Sequence, residues 1–142
     1  MTEKITLTTR EIVGLFNGLS ALDGYECIVK DGQRERAVRE NYRLGGGLRL
    51  VIAKNLHHLR AVVDPYQQAR NALVREMANG TDEIATKDMP EFHRREAEML
   101  DAKHDVALVK IQADELHLGS EPNENPIPGS VLAALMPALD DA

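Results

Sequence analysis

At 142 residues, with 43% apolar and 28% charged side chains, the chain has the size and composition of one ordinary domain able to bury a core without covalent staples. Its single cysteine, Cys27, excludes an intramolecular disulfide and a cysteine-based zinc site and fits a reducing compartment. The net charge of −6 argues against duplex nucleic acid, which needs a continuous basic surface, and no stretch approaches the ~20 apolar residues of a membrane span.

The charge is unevenly placed: residues 1–71 hold 11 basic and 8 acidic side chains, residues 72–142 hold 6 and 15. Such a split can join two parts of one fold, favour head-to-tail self-association or leave a basic face for an anionic ligand. The first dozen residues are polar and carry no hydrophobic targeting core. Thr8 and Glu11 then have capping-box spacing, with Leu7 and Ile12 at staple positions, so a helix is expected to start near Thr9. Ile12, Leu15, Phe16, Leu19 and Leu22 form its buried stripe, and Gly24 reads as its left-handed stop.

Tyr25 to Val29 is short and β-prone, and Asp31-Gly32 is the strongest turn signal in the chain. The charged arm over residues 33–44 reads either as a returning strand or as a short exposed helix. Gly45, Gly46 and Gly47 follow and predict a flexible joint, since each glycine inside a helix costs about 1 kcal/mol against alanine.

The dominant element is the stretch from Leu48 to Met77. Apolar residues recur there at alternating steps of four and three, at Ile52, Leu56, Leu59, Val63, Tyr66, Leu73 and Met77, and only Arg70 breaks the series. Unbroken, it would run roughly 45 Å. Pro65 either kinks one helix or opens a second, and the register kept across it favours a kinked, nearly collinear pair ended by Asn79-Gly80.

Asp88 and Glu91 predict a second capping box, opening a helix from Pro90 to about His104 with a thin apolar face of Phe92, Met99 and Leu100. Val106 to Ile111 reads as a strand, with Tyr25 to Val29 as its expected mate. Residues 114–116 suggest a helical turn, residues 119–130 a loop, and Val131, Leu132, Leu135, Met136 and Leu139 a last helix broken at Pro137. The expected fold is a single domain, α+β and predominantly helical. A base helix, strand and arm (1–47) and a strand and C-terminal helix (105–142) would carry a long antiparallel helical hairpin (48–104) on a two-stranded sheet and short helices.

No catalytic constellation emerges. His57 and His58 are adjacent and point about 100° apart on a helix, His93 with Glu96 is a common spacing, and Cys27 reads as a small inert hydrophobe. Ser20, Ser120 and Ser130 lack a nucleophile-elbow context, and the carboxylate pairs Glu96 with Glu98 and Asp140 with Asp141 read as solvated charge. No metal site or cofactor is therefore expected. One local pattern has a binding mechanism: Arg43, Gly45, Gly46, Gly47 and Arg49, followed by Lys54, could hold a small anion on exposed helix N–H groups and flanking cations. It lacks the Lys-Ser/Thr of a phosphate-binding loop, which favours a hinge or tight packing there.

The stretch IAKNLHHLRAVVDPYQQARNALV, through Ala53-Lys54-Asn55, Tyr66, Ala69-Arg70 and Leu73, resembles a family of small uncharacterised proteins encoded by bacteriophages and prophages. The likeness extends through MPEFHRREAEMLD, DVALVKIQADEL and the apolar tail, about two thirds of the chain; the triple glycine and Asp64-Pro65 depart from it. It implies phage origin, and hence the host cytoplasm, more than an activity. The expectation is a non-enzymatic protein acting by protein–protein interaction, on a host factor or as an assembly component. Self-association as a homo-oligomer is expected, with Leu56, Leu59, Val63, Tyr66, Leu73 and Met77 shared between core and interface. The alternative is an oligomer that sequesters a phosphorylated nucleotide at the glycine run.

Overall fold

The computed structural model describes residues 2–118 and 125–140, so that Ser120, Asp141 and much of the expected loop at 119–130 lie outside the described residues. In chain order the elements are β1 (Thr2–Thr8), α1 (Thr9–Ala21), β2 (Tyr25–Asp31), β3 (Arg34–Glu40), α2 (Gly46–Ala78), α3 (Met89–Leu100), β4 (Lys103–Val109) and α4 (Gly129–Leu135). Short 3₁₀ turns occupy Thr86–Asp88, Ala113–Leu116 and Met136–Ala138. The fold is α+β and helix-dominated, but it holds two separate antiparallel pairs, β1 with β4 and β2 with β3.

This pairing corrects the expected one, in which Tyr25 to Val29 joined Val106 to Ile111. Gly32 adopts φ 68°, the value a primed hairpin turn needs at its first central position, and the loop Gly32-Gln33 closes β2 onto β3 at minimal entropic cost. The undecided arm is therefore a strand. β4 pairs instead with β1, which the polar N-terminus concealed; Ile5 and Leu7 turn inward between Lys4 and Thr6, opposite Val106 and His104.

α1 begins as expected, with Thr8 and Glu11 closing a reciprocal capping box, Glu11 N–H to Thr8 Oγ1 at 3.2 Å and Thr8 N–H to Glu11 Oε1 at 3.0 Å. It stops on Leu22 in right-handed geometry, so Gly24 is not its left-handed cap. Ile12, Leu15 and Leu19 are fully buried between α2 and α4. Gly18 permits the approach of α4, since a Cβ there would lie 2.9 Å from Ala134 Cβ.

α2 is one helix of 33 residues, about 50 Å long, and it runs through Pro65 without division. Its first turn contains Gly46 and Gly47, and Arg49 N–H donates to Gly45 O at 3.0 Å; the glycines thus start the helix where a joint was expected. Leu48, Ile52, Leu59, Val63 and Leu73 face the core. Asn79, at φ 50°, ends the helix as expected.

α3 is shorter than read. Asp88 is already helical at φ −97°, ψ −5° after the 3₁₀ turn, so no side-chain capping bond forms, and the chain leaves helix after Leu100 to place His104 inside β4.

The outward edge of β4 is satisfied by side chains and not by a strand. Thr9 N–H donates to Ala102 O at 2.8 Å, which sets the pairing phase and turns Ala107, Val109 and Ile111 away from β1. His58 Nδ1 lies 2.9 Å from Ala107 O. Asn55, fully buried, donates from Nδ2 to Val109 O at 2.9 Å and accepts from Val109 N–H at 2.8 Å. Ile111 N–H donates to Ala138 O at 2.8 Å, and Asp140 N–H returns to Ile111 O at 2.9 Å. Replacing Asn55 by Ala strands a backbone donor and acceptor, and we expect a loss of about 2–4 kcal/mol in urea unfolding. Asn55→Asp retains only an acceptor and should lose nearly as much.

Candidate functional site

Three surfaces merit a functional reading: the glycine end of α2, the groove between α2 and α3, and the β2–β3 arm.

The first holds the expected anion-binding residues, and the structure brings them together only in part. Gly45 and Gly47 line a cleft of about 330 Å³ with Leu48, His117 and the carboxylates of Asp114 and Glu115. Glu115 Oε1 accepts from Gln112 N–H at 3.2 Å in the capping box of its own 3₁₀ turn, and two acidic residues in the lining weigh against a further anion. Arg49 turns to a neighbouring cavity of about 320 Å³, lined by Leu19, Ser20, Leu22, Asp23, Leu44, Ile52, Ala53 and Leu56, and its Nη2 donates to Tyr42 O at 3.0 Å. Lys54 sits five residues beyond Arg49, about 140° around the helix, and lines neither space. The Arg43 main chain is held by Asn125, whose Oδ1 accepts from Arg43 N–H at 2.7 Å and whose Nδ2 donates to Arg43 O at 3.1 Å and to Leu116 O at 2.7 Å. Gly46 lies in the open first turn.

The second surface contains the residues expected as a seam. Leu59, Val63 and Leu73 are buried within the chain's own core, while Leu56, Tyr66 and Met77 are half-buried. Tyr66 lines an apolar groove of about 290 Å³ with Thr9, Ala61, Val62, Pro65, Ala69, Met99, Ala102 and His104. Arg70, the break in the apolar series, has a role that the pattern did not suggest. Its Nε donates to Glu96 Oε2 at 2.6 Å and its guanidinium lies 5.6 Å from the Phe92 ring centre. The side chain joins α2 to the thin face of α3. The sign of a charge at a seam position was the available signal: α3 offers Glu96 at the matching height.

The third surface is the arm. Every residue of β3 except Val38 is exposed, as are Glu26, Ile28, Lys30 and Asp31 of β2, with Ile28 at 70%. The core cluster includes Leu22 and Tyr42 at the two ends of this excursion and, among the described side chains, none between them. Arg39 Nη2 lies 3.5 Å from Asp23 Oδ2 at its base.

Other candidates disperse. Among the described residues, no three His, Cys, Asp or Glu side chains gather in a way that could hold a metal ion. His104 Nε2 lies 2.8 Å from Thr9 Oγ1, which ties α1 to β4. No described helix is long and apolar enough to cross a membrane. Comparisons with family models, curated proteins and solved structures gave no match.

Burial, with Glu96 adding to it, raises the Tyr66 phenol above its ordinary value of 10.0 against the opposing pull of Arg70. The fold therefore favours the neutral phenol, so this contribution to stability is complete below pH 10 and is lost as pH rises through the higher folded value. Absorbance titration should place Tyr66 above the ordinary tyrosine range, and Glu96→Gln should move it downward. Tyr66→Phe should flatten the alkaline loss of stability; an unchanged alkaline unfolding curve would contradict this assignment.

Proposed function

We propose that the chain is a small, non-enzymatic, phage-encoded protein that works by protein–protein interaction, presenting its β2–β3 arm to a partner as an inhibitor of a host factor or an assembly component. The observation that carries this reading is the arm itself. A two-stranded hairpin is marginal alone in water, yet this one holds Ile28 at 70% exposure, with the core reached at Leu22 and Tyr42 at its base. An element with no described residue in the core cluster and a large aliphatic side chain exposed fits a surface that meets another protein. Phage origin rests on the resemblance in α2. In the same reading, α2 and α3 form an antiparallel helical hairpin, and self-association belongs to the mode of action.

The alternative, an oligomer that sequesters a phosphorylated nucleotide, draws on Arg43, the glycine run, Arg49 and Lys54. The acidic lining at Asp114 and Glu115 and the divergence of Arg49 and Lys54 weigh against it.

A photo-crosslinking residue at position 28, introduced during expression in a bacterial host, should give a discrete protein adduct, while the same probe at exposed Asn17 should give none. Thermal-shift measurements against nucleotides and cyclic nucleotides should show no stabilisation. No adduct at 28, together with stabilisation removed by Arg49→Ala, would reverse the choice between the two readings.

A further inference from the structure

β3 carries charges in an order that matches its own reversed copy. The register pairs Asp31 with Arg34, Ile28 with Ala37 and Glu26 with Arg39. In a hairpin closed by a two-residue loop the flanking pair is hydrogen-bonded, and bonded and non-bonded pairs then alternate. Asp31–Arg34, Val29–Arg36 and Cys27–Val38 are therefore the bonded pairs, and Glu35, Ala37 and Arg39 turn their backbone N–H and C=O groups outward. β3 has no proline to blunt that edge, and no third strand among the described residues is paired to it.

We propose that β3 pairs antiparallel with β3 of a second copy of this chain, about a two-fold axis at Ala37, to give a four-stranded sheet. The inference rests on the interaction reading of the arm and names its partner. About that axis the outward groups of Glu35, Ala37 and Arg39 meet those of Arg39, Ala37 and Glu35, so these three pairs are bonded ones and all the outward groups of this stretch are matched. Charges match as well: Glu35 faces Arg39 of the second copy, and Arg34 faces its Glu40. Across the four strands, Glu26, Arg39, then Glu35 and Lys30 of the second copy form a row of alternating sign. Ile28, Ala37 and their two equivalents make the apolar row between two such charged rows. The same charges that discourage an unrelated strand thus select this one. The β2 edge centred on Ile28 is the weaker choice, because a two-fold there opposes only Glu26 with Lys30.

Sedimentation velocity on the full chain, over roughly 10–500 µM, should show a concentration-dependent species of twice the 15.7 kDa chain mass. Ala37→Pro removes an outward N–H and none of the hairpin's own bonds, so it should give a monomer, whereas Ile28→Pro should leave the dimer. Glu35→Arg and Arg39→Glu should each be monomeric alone and form a mixed dimer when combined, because each then meets its opposite across the axis. That mixing result decides the matter even if the proline variant loses its hairpin. A monomer throughout the range, a dimer indifferent to Ala37→Pro with the hairpin folded, a dimer lost only with Ile28→Pro, or failure of the two charge variants to combine would overturn the proposal. A monomeric chain that still gives an adduct at position 28 would overturn this pairing while leaving the interaction reading standing.

Discussion

The fold depends on how the outward edge of β4 is satisfied. A two-stranded sheet leaves half of each strand's backbone groups without a ladder partner, and in the core those groups cannot turn to water. Here the side-chain amide of Asn55 reproduces a peptide: one donor and one acceptor, set opposite Val109 O and N–H at 2.9 and 2.8 Å. That pair fixes the rotation of α2 about its axis, because a buried asparagine on a helix has one direction in which both atoms are matched. Once Asn55 points at Val109, His58 falls opposite Ala107, and Leu48, Ile52, Leu59 and Val63 fall on the buried face of the helix. The specificity of packing is supplied by a polar residue, and the apolar stripe supplies the area.

Asn125 performs the complementary task at the other end of the core. It holds both main-chain groups of Arg43 and also Leu116 O, joining segments that are 82 and 9 residues away in sequence. With Tyr42 buried beside it, this closes the base of the arm at the point where the chain returns. The outgoing end is closed by buried Leu22. The arm is thus held at its base by core contacts and left open along its length.

Much of the helical content was legible because its signals are local. The Thr8–Glu11 box, the stripe from Ile12 to Leu22, the unbroken register across Pro65, Asn79 as a stop and the break at Pro137 each depend on residues a few positions apart. Strand pairing was not legible in the same way. Val106 to Ile111 has no local feature that distinguishes Tyr25 to Val29 from Thr2 to Thr8 as a mate, and the short alternation of Ile5 and Leu7 is muted by threonines. The Asp31-Gly32 turn did carry the answer for β2, since a two-residue loop is the cheapest closure available to it. The Asp88 box failed because that residue already ends a 3₁₀ turn, Thr86–Asp88, and so takes helical and not extended geometry. At the glycine run the cations were visible, but the carboxylates of Asp114 and Glu115, which come from nearly seventy residues downstream, were not.

The two halves of α2 now separate by their partners. Before Pro65 the helix is bound to β4 and α1 through Asn55, His58 and the buried leucines; after it, the contacts are with α3, through Arg70, Glu96 and Phe92. The second contact is polar at its centre and half-exposed, with side-chain exposures of 39% for Arg70 and 18% for Glu96, so screening leaves it with a modest share of the stability. A polar contact of this kind can open at lower cost than the Asn55 pair, whose loss strands buried backbone groups. The α2–α3 contact therefore leans on buried Phe92 and Leu73 more than on its ion pair, while the base of the arm is tied to the core by Leu22, Tyr42 and Asn125. Within the arm the two-residue loop at Gly32-Gln33 fixes the pairing of β2 with β3, and a slip of one residue there would exchange every inward side chain for an outward one.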